Sequence, residues 1–387
     1  MKDLKLKLET LSVLRGLLSD PVITSLLSFF DDPTASNYAE FVSRLYMANG
    51  GNLSEYVREI LSNSENVYVQ RVGAGECVPD FMINALTAEL SALQEVADLN
   101  SDELKSKIGY CGFLPAYANI QIDITAEYLH RAKNIGKYGY GIYAKNGMFY
   151  VDDDGAIVPV KNPDKTDLSD LVDYERERGI ITDNTKALLA DKPAANILLT
   201  GDAGTGKSST VKAVGSALFF EGLRIIEVRK DQLRAIPRIL DELSKNPLKF
   251  VLFIDDLSFL KDDDNYSALK AVLEGSVSAK SKNVVIYATS NRRHIIKEKF
   301  SDREGDDIHR NDTMQELVSL SERFGIHITF NKPDKKTYLH IVRSLAERDG
   351  VEIPTSELEA GAERIALERG GRSARLARQY VDGLLSK

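Results

Sequence analysis

The sequence predicts an α/β fold: a parallel sheet flanked by helices, with a mainly helical N-terminal domain and a small β-meander before it and a helical lid after it. Three observations predict this. Five apolar, β-rich runs alternate with helical patterns from about Asp167 onward: Ile197 to Leu199, Leu223 to Val228, Phe250 to Ile254, Val284 to Tyr287 and Ile326 to Phe330. Strands buried on both faces of a parallel sheet carry such near-continuous apolar runs. Upstream, apolar residues recur at helical spacing, and beyond Pro333 only helical spacing is found, broken at Gly350 and at Gly370-Gly371.

In chain order, Leu4, Leu8, Leu11 and Leu18 share one helical stripe, and Met82, Leu86, Leu90, Leu93 and Ala97 share another. Tyr38 to Met47 and Leu53 to Leu61 repeat the pattern. The period then changes to two. Ile142 to Lys145 and Met148 to Val151 flank Asn146-Gly147, a pair suited to a tight hairpin turn, and Asp152 to Gly155 turns the chain again before Ala156 to Val160. The aromatics Tyr138, Tyr140, Tyr143, Phe149 and Tyr150 suit the packing of a small sheet and, alternatively, a stacking platform. Asn162-Pro163-Asp164 reads as a boundary. The expected domains are therefore 1–135 (helical), 136–166 (meander and linker), 167–332 (sheet core) and 333–387 (lid).

Composition narrows the function classes. With 43% apolar and 28% charged residues the chain is neither disordered nor membrane-embedded in type, and no apolar stretch near the start approaches a bilayer span. No secretion signal is read. Cys77 and Cys111 are too few for a disulfide framework, which suits a reducing cytoplasm. The net charge of −8 argues against coating nucleic acid by bulk electrostatics. Through Lys165 there are 15 basic and 22 acidic residues, so the acid excess lies in the N-terminal part and favours a protein partner over nucleic acid. His130, His294, His309, His327 and His340 are scattered without ligand spacing.

The strongest chemical signal follows the first apolar run of the core. Gly201, Asp202, Ala203, Gly204, Thr205, Gly206, Lys207 and Ser208 spell G-x-x-x-x-G-K-S between a strand and the helical pattern Ser208 to Phe220, which Ser209 continues. Glycines let the backbone wrap an anion so that successive N–H groups and a helix N-terminus face phosphates. Lys207 would add charge at the β and γ phosphates of ATP, and Ser208 a hydroxyl ligand for Mg²⁺. Phe250 to Ile254 ends in Asp255-Asp256, where Asp255 would hold Mg²⁺ and Asp256 would orient or deprotonate water.

Val284 to Tyr287 runs into Ala288-Thr289-Ser290-Asn291, and here the sequence resembles AAA+ ATPases, a P-loop NTPase superfamily of the ASCE type. The resemblance implies that Asn291 is the polar sensor at the strand end, although Asn there also suits a helix cap before Arg292 to Lys299. Leu317 to Gly325, LVSLSERFG, resembles the AAA+ segment whose arginine reaches a neighbouring subunit's nucleotide, and Arg323 is the matching residue. Such an arginine is worth about 10³- to 10⁵-fold in rate. Gly370-Gly371-Arg372-Ser373-Ala374-Arg375 resembles the lid sensor, with Arg372 the best match and Arg375 in reserve; Arg369, Arg372, Arg375 and Arg378 could instead share one basic helix face. Val172 and Tyr174 sit where AAA+ proteins wrap the adenine. Asn196 to Ser209, Phe253 to Phe259, Tyr287 to His294 and Leu317 to Gly325 together resemble an uncharacterised bacterial AAA+ family of unknown function. Asp256 departs from the common pattern, which has Glu there.

The resemblance implies strand order 5-1-4-3-2, ATP hydrolysis coupled to remodelling of a macromolecular partner, and a homo-oligomer. Rival classes are a nucleic-acid loader or translocase and a nucleotide-switched binding module. Asn331-Lys332-Pro333-Asp334 imitates the guanine motif of GTPases, but Asp255 and Asp256 are followed three residues on by Ser258 and Phe259 rather than Gly, so ATP is preferred.

Overall fold

The computed structural model describes residues 1–164, 166–257, 264–274, 282–291 and 322–386. The chain divides into two compact units, one of Met1–Lys145 with Lys245–Leu248, the other of Asn146–Ser244 with Lys249–Lys387.

The first unit is helical. Pro21–Asp31, Ala35–Asn49, Leu53–Ser62 and Asp80–Ala97 surround an apolar core that includes Leu8, Phe29, Tyr38, Phe41, Leu45, Val57, Leu90 and Leu93. Side chains of Asp20, Thr34 and Asn52 accept backbone N–H bonds at the starts of the first three helices, giving each a fixed origin. The single stripe expected from Leu4 to Leu18 is two pieces, Lys2–Glu9 and a 3₁₀ turn at Arg15–Ser19. The cause is Glu89, buried in the core, whose carboxylate takes the N–H groups of Ser12, Val13 and Leu14 at 2.7 to 3.0 Å and the Ser12 hydroxyl at 2.6 Å. Backbone donors captured by a side chain cannot serve a helix. Cys77 and Cys111 are exposed and free, and no helix among the described residues is long and apolar enough to cross a membrane.

The second unit is built on one sheet of seven strands: β1 (Met148–Val151), β2 (Ile157–Pro159), β3 (Ile197–Gly201), β4 (Leu223–Glu227), β5 (Lys249–Ile254), β6 (Val284–Ser290) and β7 (Ile326–Phe330), in the order β2-β1-β4-β5-β6-β3-β7. All pairings are parallel except β1 with β2. The last five strands of that order are the expected 5-1-4-3-2 arrangement. The meander differs from expectation. Gly141–Tyr143 is a 3₁₀ turn rather than a strand, since Gly139 and Gly141 both take positive φ, and the remaining hairpin joins the main sheet through β1 beside β4.

Helices Glu175–Leu189 and Lys207–Ala217 pack on the sheet around Ile181, Leu188, Val211 and Val214. Asn184 ties the first of them to the chain entering β3, through Ala195, and to the buried Tyr287 hydroxyl on β6. The lid has three helices, Lys335–Arg348, Thr355–Glu368 and Ala374–Leu385, closing on their own core of Tyr338, Val342, Ala362, Ala377 and Val381. The glycine breaks fall where the sequence puts them. The four lid arginines do not form one helix face: Arg369 caps the second helix, Arg372 lies in the following turn, and only Arg375 and Arg378 stand on the third.

Candidate functional site

Parallel strands bring their C-terminal ends to one edge of the sheet, and the chemistry read from the sequence collects there. β3 ends at Gly201, whose φ of +136° is open only to glycine in practice and where a Cβ would collide with the Phe330 carbonyl of β7. Gly204 and Gly206 follow at φ +77° and +96°, and the helix starts at Lys207. The loop therefore presents backbone N–H groups and a helix N-terminus to one hollow.

Lys207 is 5% exposed, and its ammonium donates to the carbonyls of Gly201 (2.9 Å) and Asp202 (2.8 Å) and to Asn291 Oδ1 (3.0 Å). Burial pushes its pKa below the ordinary lysine value, opposed by the charges of Asp202, Asp255 and Asp256. All three ammonium donors are met, each by a neutral oxygen, so the positive charge has no directly bonded carboxylate. The Thr205 hydroxyl bonds back to the Asp202 carbonyl at 2.9 Å and stiffens the loop.

Next to it Ser208 Oγ donates to Asp255 Oδ1 at 2.6 Å, as does Thr289 Oγ1 at 2.5 Å. Asp256 takes φ +52°, its N–H lies 2.9 Å from Thr289 Oγ1, and its Oδ1 accepts from Asn291 Nδ2 at 2.8 Å. Asn291 thus bridges Lys207 and Asp256. Strands β3, β5 and β6 deliver these groups, and their parallel pairing sets them side by side.

The hollow opens into a cleft of about 810 Å³ between the P-loop, the segment Thr166 to Tyr174 and the lid, within the usual range for a small-molecule site. Val172 and Tyr174 both line it. Val172 also packs against the lid core, while the Tyr174 ring lies 5.2 Å from Phe330 and its hydroxyl donates to the Asn331 carbonyl at 2.6 Å. Burial pushes the Tyr174 phenol up to about 12. Arg178, on the wall, donates to the carbonyls of Leu168 and Leu171 and keeps a buried Nε that has no hydrogen-bond partner among the described residues, a donor suited to a bound acceptor. The glycine cradle, the buried lysine and the hydroxyl–carboxylate pair fit a magnesium-bound polyphosphate; in such a complex Ser208 and Asp255 are the residues with the donor chemistry for the cation.

A family described as "Protein of unknown function (DUF815)" has a sequence model that matches residues 144–387. The chain belongs to that family. The DUF815 match spans the hairpin, the sheet, the cleft and the lid. No curated protein matches the chain. Among solved structures, a RuvB variant of Thermotoga maritima is similar at 17% identity with a TM-score of 0.39, covering 56% of this chain and 63% of that one. A second RuvB mutant from the same organism gives 16% identity, a TM-score of 0.38 and the same coverages. The chain thus spans less than two thirds of the RuvB chains it matches.

In this DUF815 member the lid arginines differ in their surroundings. Arg372 is held bidentately by Glu363, at 2.8 and 2.7 Å, and does not line the cleft. Arg375 does line it, and its backbone N–H donates to the Gly204 carbonyl at 3.1 Å. Arg323 lies half-buried just before β7, outside the cleft lining; Leu317 to Ser321, the rest of its motif up to that point, lie outside the described residues, as do His294, His309, Ser258 and Phe259. Asp334 of the guanine-like run caps the first lid helix through Thr337 N at 2.7 Å, and neither it nor Asn331 or Lys332 lines the cleft. No group of three potential metal-ligating side chains of the His, Cys, Asp or Glu kind occurs among the described residues. Sequence reasoning passed over Thr289, Arg178, Arg348 and Asp170 of the Thr166 to Tyr174 segment, whose carboxylate is 3.0 Å from Arg348. Thr289 had a visible signal: a hydroxyl two places before the strand-end Asn.

Proposed function

We propose that this chain is an AAA+ type ATPase that binds Mg-ATP in the cleft, hydrolyses it to ADP and phosphate, and couples this to movement of its lid and remodelling of a macromolecular partner, acting as a homo-oligomer. The observation that carries the proposal is the unbroken bonded path from Ser208 through Asp255, Thr289, Asp256 and Asn291 to Lys207 at the mouth of a glycine cradle.

Each residue has a definable task. Lys207 exchanges the Gly201, Asp202 and Asn291 oxygens for phosphate oxygens, which a lysine already desolvated does at small further cost. Mg²⁺, when bound, neutralises charge on the β and γ phosphates. Asp255 and the Ser208 hydroxyl hold their positions for it through their mutual bond. Asn291, once Lys207 leaves it, turns its amide to the attacking water, and Asp256 orients that water and receives its proton. The Asp carboxylate is one methylene shorter than the usual Glu, so a lower turnover than in Glu-bearing relatives is expected. Arg375 sits where the lid can sense the phosphates, and Arg323 is assigned to the neighbouring subunit's site. Val172 and Tyr174 flank the base. The acidic N-terminal region supports a protein partner rather than nucleic acid.

The deciding experiment is binding of labelled ATP with magnesium. Lys207→Ala is expected to weaken binding roughly 100-fold, ~2.7 kcal/mol, because the loop loses its buried charge. Equal binding by parent and variant would overturn the assignment.

A further inference from the structure

We propose that Thr289 is the positioning residue that makes two adjacent aspartates perform different tasks. The inference rests on the ATPase reading of the cleft and names the group that sets its geometry.

Consecutive residues of an extended strand point to opposite faces, so Asp255 and Asp256 at the end of β5 could not both address the cleft without a break in the backbone. The break is the left-handed conformation of Asp256, φ +52°. It is held from β6. Asp256 N–H donates to Thr289 Oγ1 at 2.9 Å and, more weakly, to Asp255 Oδ1 at 3.1 Å, and Leu257 N–H donates to the Thr289 carbonyl at 2.7 Å. Because an amide can only donate, the hydroxyl spends its lone pair on Asp256 and its single proton on Asp255 Oδ1, 2.5 Å away. One buried hydroxyl, 2% exposed, therefore fixes both acids and the polarity of the bonds between them. Asp255 has its Oδ1 occupied by Ser208, Thr289 and the Asp256 N–H, which directs Oδ2 to a cation, while Asp256 is turned to Asn291. Thr289 stands in the cleft lining, but its hydroxyl is committed to the two acids, so it acts through its neighbours.

The test uses the full chain. Thr289→Val preserves the branched shape and deletes both hydroxyl bonds; Thr289→Ser keeps the hydroxyl. Amide exchange at Asp256 and Leu257, the magnesium concentration for half-maximal turnover, kcat and KM are measured on both, with thermal melts to confirm folding. The valine variant is expected to exchange its Asp256 amide about tenfold faster or more. Its kcat should fall roughly 100-fold with KM for ATP little changed, and its magnesium requirement should rise. The serine variant should stay within about threefold of the parent on each measure. An Asp256 amide unchanged in the folded valine variant overturns the assignment whatever the parent's activity, as does a serine variant no better than valine. A parent chain that turns over no ATP overturns the ATPase reading instead, and leaves the exchange result to decide what Thr289 holds.

Discussion

Lys207, Ser208 and the glycines around them are consecutive in the chain, which is why this part of the site could be read directly: the motif's geometry is local. Thr289 and Arg375 were harder to read because their parts depend on strand register and on how the lid folds back, which no spacing rule encodes. Arg372 and Arg375 lie three residues apart, and the sequence ranks Arg372 first. The structure puts Glu363 in its way and turns Arg375 to the cleft. Arg375→Ala is therefore expected to cut turnover about tenfold or more through lost charge near the phosphates. Arg372→Ala should chiefly lower lid stability, by at most ~1 kcal/mol for a partly exposed pair. Steady-state kinetics beside thermal melts would separate the two; the opposite ranking would return the sensing role to Arg372.

At the scale of elements, the five core strands were legible because continuous apolar runs have few other homes, and two of the meander's three expected strands were legible as well. Its first expected strand failed at two glycines whose backbone leaves the β region, a local effect that apolar alternation hides. The broken first helix was illegible for a different reason: Glu89 acts on residues 12 to 14 from the far side of a core. Removing that carboxylate leaves three backbone donors without it in a partly buried setting. Glu89→Ala should destabilise the helical unit by about 3 kcal/mol or more, read by urea denaturation, whereas Glu89→Gln, which still accepts, should cost less. Equal losses would mean that neither bulk nor a single acceptor oxygen suffices, and that the charged carboxylate with both its oxygens is what this position needs.

At the scale of the whole molecule the proposed homo-oligomer makes one demand that a monomeric enzyme does not. If Arg323 completes a neighbour's site, then Arg323→Ala and Asp256→Asn proteins, each inactive alone, should regain part of the parent turnover when mixed, since some interfaces pair an intact arginine with an intact acid. No recovery at any ratio, with no assembly on adding ATP, would make the active unit a single chain. The sheet itself bears on where copies can meet. Its outermost strand on one side, β2, is three residues long and ends in Pro159, which has no N–H to offer. A foreign strand laid alongside would find too few rungs to climb, so the edge works as a terminus. Along this edge, copies can meet only through side-chain surfaces, and the apolar strands behind it are shielded from fibre-like accretion.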